Sequence, residues 1–303
     1  LSDGQFSLSN CNGNPKNTSN GVNGIFLKGM IITKEFFDGS TDKRAYYTNN
    51  CGTEIFISGC TFSDCYSTGT NLGGGLAILQ DSEVIIHNCI FDNCRTASTR
   101  GGAAVIGKKI NNHENKVEGD ERLTKADIQY CCCQNCYGSI SDKVFGAAFF
   151  IAAENATLLY TSTLDCPGSQ HPRAYGAQFD VNSGEINSEY INLTNGNSKF
   201  CSGFEYRWST HGTFKYQTMY KNKGQFTNAF TSVSIDFLSF EFSNYVQNHL
   251  IESDGHNRPG LVFVQDENIK IEHFYFFQNT KDNIDARLIS KNKGEIIVTL
   301  NNV

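Results

Sequence analysis

Two stretches carry side chains able to do acid–base chemistry at close quarters. In Gly176-Ala-Gln-Phe-Asp-Val and Gly203-Phe-Glu-Tyr-Arg-Trp, strand alternation puts Ala177, Phe179 and Val181, then Phe204, Tyr206 and Trp208, on the inner face. Gln178 and Asp180, then Glu205 and Arg207, fall on the outer face. If the two strands are neighbours, Asp180 stands beside Arg207 and Gln178 beside Glu205, with His211 close by. Two carboxylates so placed suit glycosidic-bond cleavage, with one protonated and one ionised. They also suit a bound Ca²⁺. The plain alternative is a solvated salt-bridge pair, worth ~0–1 kcal/mol.

The second chemical candidate is Cys131-Cys132-Cys133-x-x-Cys136. Thiolates two or three residues apart suit a tetrahedral zinc ion. However, Cys131, Cys133 and Cys136 each fall on a position of a repeat, which favours a structural thiol or disulfide over a metal. Cys51, Cys132 and Cys201 lie off that repeat. The sequence has no phosphate-cradling glycine loop, nucleophile elbow, HExxH or EF-hand pattern. No cofactor and no metal is expected.

The repeat is what must position these residues. Its clearest unit is Glu83 to Ile106: an alternating apolar run to His87-Asn88, then Cys89-x-Phe91-x-x-Cys94, then a Gly-Gly pair and a small apolar strand. Aligned on Cys89, the anchors read Cys11, Phe36, Cys60, Cys89, Cys131, Thr161, Tyr190, Gln217, Phe240 and Phe274. Two residues later stand Phe62, Phe91, Cys133, Thr163, Asn192, Met219, Phe242 and Phe276. Five residues after the anchor stand Cys65, Cys94, Cys136, Cys166, Asn195, Asn222, Tyr245 and Asn279. Phe62, Phe91, Phe242 and Phe276 read as one stacked core row, each worth about 1.5–3 kcal/mol of burial. A ligand-binding aromatic strip would need outward rings. Small residues lead the returning strand: Gly74-Gly75, Gly101-Gly102, Gly146, Gly176, Gly203 and Gly260 read as tight corners. On this alignment Ala77, Ala104 and Ala148 share the outward position of Gln178 and Glu205 and make a flat patch, covered by a loop or another subunit or left bare.

A period in the high twenties with several short strands per period, and no helical periodicity, is a solenoid signature. The expectation is an all-β fold, a single-stranded parallel β-helix of about ten coils spanning residues 1–303 as one domain. Like residues would form ladders at ~4.8 Å spacing. The charged run at about 107–122 is expected to protrude as a loop, and 253–259 as a second.

Composition agrees and narrows the function. Glycine (28) and phenylalanine (23) are plentiful against four prolines and two methionines, a strand-and-turn composition. A net charge of −6 supplies no basic field for nucleic acid. No apolar run is long enough for a membrane span. Asn17, Asn155 and Asn192 head N-glycosylation sequons. Both ends fall inside a unit, so each is expected to meet further chain or another copy, stacking head to tail into a filament.

Phe62-Ser-Asp-Cys65, Gly74-Gly-Leu-Ala-Ile78, Phe91-Asp-Asn-Cys94 and Gly101-Gly-Ala-Ala-Val105 resemble the repeats of chlamydial polymorphic membrane proteins and of Cys-rich protist surface proteins. Both groups are similar to right-handed parallel β-helices of the pectin-lyase-like class. The resemblance implies an extracellular or surface-displayed structural or adhesive protein, with self-association and glycan or cell-surface partners. Its alternative is a polysaccharide lyase or glycoside hydrolase using Asp180, Glu205, Arg207 and His211, since β-helix enzymes use carboxylates and a basic residue on such a face. Polygalacturonase-like motifs are missing; Asp254-Gly-His256 is the nearest approach.

Overall fold

A computed structural model describes residues 24–28, 31–33, 36–37, 47–48, 54–67, 73–78, 83–97, 100–107, 123–138, 146–168, 178–198, 201–224, 227–251, 260–265, 268–281, 287–291 and 296–299. Cys11, Asn17, Cys51, Gly176, His256, both chain ends and nearly all of the two expected loops lie outside these residues.

One coil shows how the sequence bends. Glu54–Ser58 is a strand with alternating burial, and Ile55 and Ile57 point inward. Gly59 then adopts a left-handed φ of 63° and turns the chain. Thr61–Ser63 follows, then a second left-handed corner at Asp64 (φ 55°), then Tyr66–Ser67. The coil returns through Leu76–Ile78 and lands on Glu83–His87, beside the strand it left. Pairing is parallel and in register, with Ile57 beside Ile86 and Phe62 beside Phe91. The same step repeats, so each coil buries its apolar face only by stacking on the next. The molecule is therefore an all-β parallel solenoid, the expected class, and it has no helix among the described residues. The coil count differs from the expected ten: among the described residues the short-strand sheet through Thr61–Ser63 has nine strands.

Farther along, the returning strand and the next coil's first strand fuse. Phe149–Leu159 is continuous, and it pairs with both Ala104–Ile106 and Leu123–Gln129. The charged 107–122 segment thus interrupts what the next coil makes as one strand. Phe179–Glu189, Phe204–Lys215 and Thr227–Glu241 continue the fused pattern.

The core is a bundle of ladders. Cys60, Cys89 and Cys131 form one, and Cys65, Cys94, Cys136 and Cys166 another; all are buried. Phe62 and Phe91 stack at 4.8 Å. Phe149, Phe179, Phe204 and Phe230 make a second aromatic row at 5.0 to 5.8 Å. No disulfide is seen among the described cysteines.

Three rungs correct the sequence alignment. Ile31–Thr33 pairs with Thr61–Ser63 and Phe36 with Tyr66, so Phe36 does not stand in the anchor row of Cys60. Asn192–Thr194 pairs with Ser162–Leu164, so Ile191, not Tyr190, succeeds Thr161. Asn244–Val246 pairs with Thr218–Tyr220, so Ser243, not Phe240, succeeds Gln217. Tyr245 is fully buried in the row place assigned to Phe242, between Met219 and Phe276, whereas Phe242 is 40% exposed. Aromatic residues occur at several phases of this repeat, so matching by residue type slips. The left-handed corners set the true phase, and Phe242 occupies one (φ 52°).

The glycine-led strands slip as well. Gly75 N donates to Ala103 O, Ala103 N to Ala148 O and Ala148 N to Gln178 O, so these four share one position. The outward row is Ala77, Val105, Phe150, Asp180, Glu205. Ala104 and Ala148 face the core instead. The glycines sit in a connection of varying length ahead of the strand and do not report its register. They are needed for close approach: a Cβ on Gly102 would lie 2.3 Å from Tyr137 N.

Candidate functional site

The corrected register brings the sequence-predicted carboxylates together in a different way. Asp180 stands directly beside Glu205, and Arg207 lies two residues on along the same strand as Glu205. The Arg207 guanidinium reaches back to clasp both: Nη2 contacts Asp180 Oδ2, and Nε is 3.3 Å from Glu205 Oε1. Asn182 Nδ2 donates to Asp180 Oδ1 at 2.9 Å. Arg100 lies over the Phe150 ring at 4.6 Å and is close enough to Asp180 to feel its charge.

This cluster is not a solvated face. Asp180 and Glu205 are fully buried and Arg207 is 6% exposed. Their row neighbours Ala77, Val105 and Phe150 are buried too, and Val105, Phe150 and Ala152 form a small apolar cluster of their own. Burial dominates the titration. It pushes Glu205 up to about 8, against the pull of Arg207 and with further help from Asp180. Asp180 is raised by burial, opposed by Arg207 and Arg100. Desolvation lowers Arg100 to about 10. Cys201 is pushed up to about 12, first by burial and then by Glu205. Neither Glu205 oxygen has a hydrogen-bond partner, and the 3.3 Å approach of Arg207 Nε to Oε1 is the ion-pair contact it makes in the cluster. A protonated and an ionised carboxylate side by side are an acid–base pair in chemical type, but a substrate would have to reach a fully buried place.

His211 is not part of the cluster. It lies in register with Glu185 and Phe237, past an irregularity in the pairing, and is exposed. Gln178 also leaves the outward face and turns into the core. Its Nε2 donates to Asn222 Oδ1 at 2.9 Å and to Ser202 O at 3.1 Å, and its Oε1 accepts from Thr163 Oγ1. It thereby fills a gap in a ladder. Cys94, Cys136 and Cys166 Sγ each point at a backbone carbonyl of the coil before, at 3.4 to 3.7 Å. Asn222, Asn248 and Asn279 take over that position and donate Nδ2 to Leu193 O, Met219 O and Tyr245 O at 3.0, 2.8 and 2.6 Å. Their Oδ1 atoms accept from the backbone of the coil before, as in Asn248 Oδ1 from Asn222 N at 3.0 Å. Between thiols and amides stands Gly196, where a Cβ would meet Gln178 Nε2 at 2.2 Å.

Cys131, Cys133 and Cys136 are core members and only Cys132 is exposed. Burial lifts Cys133 to about 12, which is unfavourable for a thiolate ligand. Among the described residues no group of three or more His, Cys, Asp or Glu is placed to hold a metal. Asn155 and Asn192 are exposed.

One site escaped the sequence alignment. The first left-handed corner is Gly59 and Asn88 in the early coils, then Tyr130, Tyr160, Tyr190, Tyr216, Phe242 and His273, with φ from 49° to 56° for these six. Their rings stack face to face as a continuous outer rail. Successive centroids are 4.9, 4.5, 4.5, 5.1 and 4.4 Å apart, with planes 2° to 7° from parallel. The first five are 38% to 51% exposed. A bulky residue in this conformation costs about 1–2 kcal/mol, which a glycine or asparagine largely avoids. The legible signal was an aromatic residue just before each anchor. No family model matches the chain, and no curated protein or solved structure matches it.

Proposed function

We propose that this protein is an extracellular or surface-displayed β-helix, akin to the right-handed pectin-lyase-like class, that works as a rigid adhesive or structural element. The observation that carries this reading is the exposed aromatic rail. Six coils place a ring where a cheaper glycine or asparagine would make the same turn, and they present it to solvent. Exposed apolar surface arranged in one contiguous strip marks a contact surface. Exposure of Asn155 and Asn192 leaves both sequons open to glycosylation, in keeping with an extracellular location. Parallel coils also suit head-to-tail stacking of copies, which sedimentation velocity over a concentration series would reveal.

The test is attachment of the full chain to immobilised cell envelopes or matrix. The parent is expected to bind, and Tyr160→Asn/Tyr190→Asn/Tyr216→Asn to bind at least tenfold more weakly at unchanged fold. Equal attachment by the two proteins overturns the reading.

The enzymatic alternative keeps one supporting observation, the raised Glu205 beside Asp180. It requires that the parent release reducing ends from a polysaccharide and that Glu205→Gln abolish the release. Burial of both carboxylates ranks it second.

A further inference from the structure

We infer that the ligand of the aromatic rail is an uncharged, hydroxyl-rich linear polymer, an extended neutral polysaccharide lying along the solenoid axis. The inference rests on the adhesive reading above and names its partner class.

The geometry limits the choice. The rings stack on each other along the axis, so their faces are used up and their edges point outward. A ring edge carries the positive part of the aromatic quadrupole. It attracts neutral oxygen atoms and offers no face for stacking a flat ligand. Four of the six rungs also carry a phenolic hydroxyl. Beside the rail, in register, runs a second outward row with Ser162, Asn192, Thr218 and Asn244. The surface is therefore a comb of oxygen-seeking edges and hydroxyl or amide groups, repeated every 4.4 to 5.1 Å.

A one-dimensional repeat favours a ligand that repeats along the same line. Each coil then makes the same contact, and weak contacts add as an intramolecular series. One pyranose of an extended glycan is about as long as one step of the rail. A second protein copy fits less well. The five Tyr and Phe rings, at about 150–250 Å² each and about two-fifths exposed, offer roughly 400 Å², short of the ~800 Å² per partner of a stable interface.

Charge decides between glycans. The row on the other flank holds Glu189, Lys215, Glu241 and Glu272 on successive coils; Lys215 is engaged by Glu241 at 3.3 Å and Glu272 by Lys270 at 3.1 Å, so three carboxylates face two ammonium groups and the flank keeps a small negative excess. An anionic polymer on the rail would run alongside these carboxylates, so a neutral one is favoured.

The experiment uses the full chain with insoluble cellulose, chitin, β-1,3-glucan and mannan, and immobilised polygalacturonate as the anionic comparison. Retention on at least one neutral glycan is expected, with at least a tenfold loss in Tyr160→Asn/Tyr190→Asn/Tyr216→Asn. Asparagine suits the left-handed corner, and circular dichroism with thermal melting checks that the variant is folded. Soluble fragments of the retained glycan should compete at least tenfold better as hexamers than as dimers. Retention on polygalacturonate equal to the best neutral glycan overturns the inference, as does retention that the triple variant keeps. If no neutral glycan retains the protein, while rail-dependent attachment to cell envelopes survives digestion of their neutral glycans, the ligand class is wrong and the adhesive reading stands. If the variant attaches to envelopes as well as the parent, both fall.

Discussion

At the scale of single residues, burial rather than sequence neighbourhood decides what the ionisable groups do. Glu205 has an ordinary value of 4.5 and is pushed to about 8. Between those two values the unfolded chain releases this proton and the native protein keeps it. Stability contributed by Glu205 is full below pH 4.5 and is lost as pH rises toward 8. Glu205→Gln keeps the shape and removes the titration. The parent is expected to lose about 4 kcal/mol at most, relative to this variant, between pH 4.5 and 8, at 1.36 kcal/mol per unit. Asp180 is shifted in the same direction, so the variant keeps a residual slope of the same sign. Urea titrations at pH 5, 6.5 and 8 measure both slopes, and a parent without the steeper one contradicts the assignment. The rail poses a second single-residue question. Tyr160 stacks on Tyr130 and Tyr190 at 4.9 and 4.5 Å, yet it pays for a left-handed backbone (φ 49°). Tyr160→Ala removes the stacking and keeps the strain, so a loss of about 1–3 kcal/mol is expected from two aromatic pairs. Tyr160→Asn relaxes the backbone and should lose less than half of that. Equal losses in chemical denaturation would show that the corner is not strained.

At the scale of elements, ladders do the specifying, and they explain what was legible. Alternation in Glu54–Ser58 and Glu83–His87, with the Cys-x-Phe-x-x-Cys spacing that follows, suffices for the parallel solenoid and for most of its core. Those residues recur in one phase only. The later coils were read out of phase at Tyr190 and Phe240 because tyrosine and phenylalanine serve the corner, the core row and the long strand alike. The acidic cluster was legible as a set, Asp180 with Glu205 and Arg207, but not as buried. Strand alternation gives the face a side chain is on, not whether that face is covered. The asparagine ladder was half visible, with Asn222 and Asn279 in place and Asn248 missed. Asn248 donates to Met219 O at 2.8 Å and accepts from Asn222 N at 3.0 Å, and it is buried. Asn248→Ala leaves a carbonyl and an N–H without partners, each costing about 1–3 kcal/mol. A total near 3 kcal/mol is expected in equilibrium unfolding. Asn248→Asp should be worse, because it keeps the acceptor but buries a carboxyl in place of the donor. An alanine variant as stable as the parent would mean that water replaces the ladder.

At the scale of the whole molecule, the strand pairings among the described residues join neighbouring coils, so stability should be distributed along the axis rather than shared equally. Ala126 and Ile128 rest on Val84 and Ile86 on one side and on Ala156 and Leu158 on the other. In such an array a local defect weakens its own coil and its immediate neighbours before it reaches distant ones. Leu193 is a suitable probe. It is fully buried, sits in register between Thr163 and Met219, and its carbonyl accepts from Asn222 Nδ2 at 3.0 Å. Leu193→Ala removes about 2–5 kcal/mol of local packing. Hydrogen exchange should then accelerate first in Ser162–Leu164, Asn192–Thr194 and Thr218–Tyr220. Glu83–His87 and Asn268–Glu272, several coils away on either side, should exchange as in the parent. A single cooperative unit behaves otherwise, because every amide protected by global unfolding would accelerate by the same factor. Uniform acceleration would therefore show that the coils are coupled far beyond nearest neighbours. That result would also bear on adhesion. A rail built on independently opening coils can lose one ring and keep its grip on both sides, whereas one built on a single cooperative unit holds or lets go as a whole.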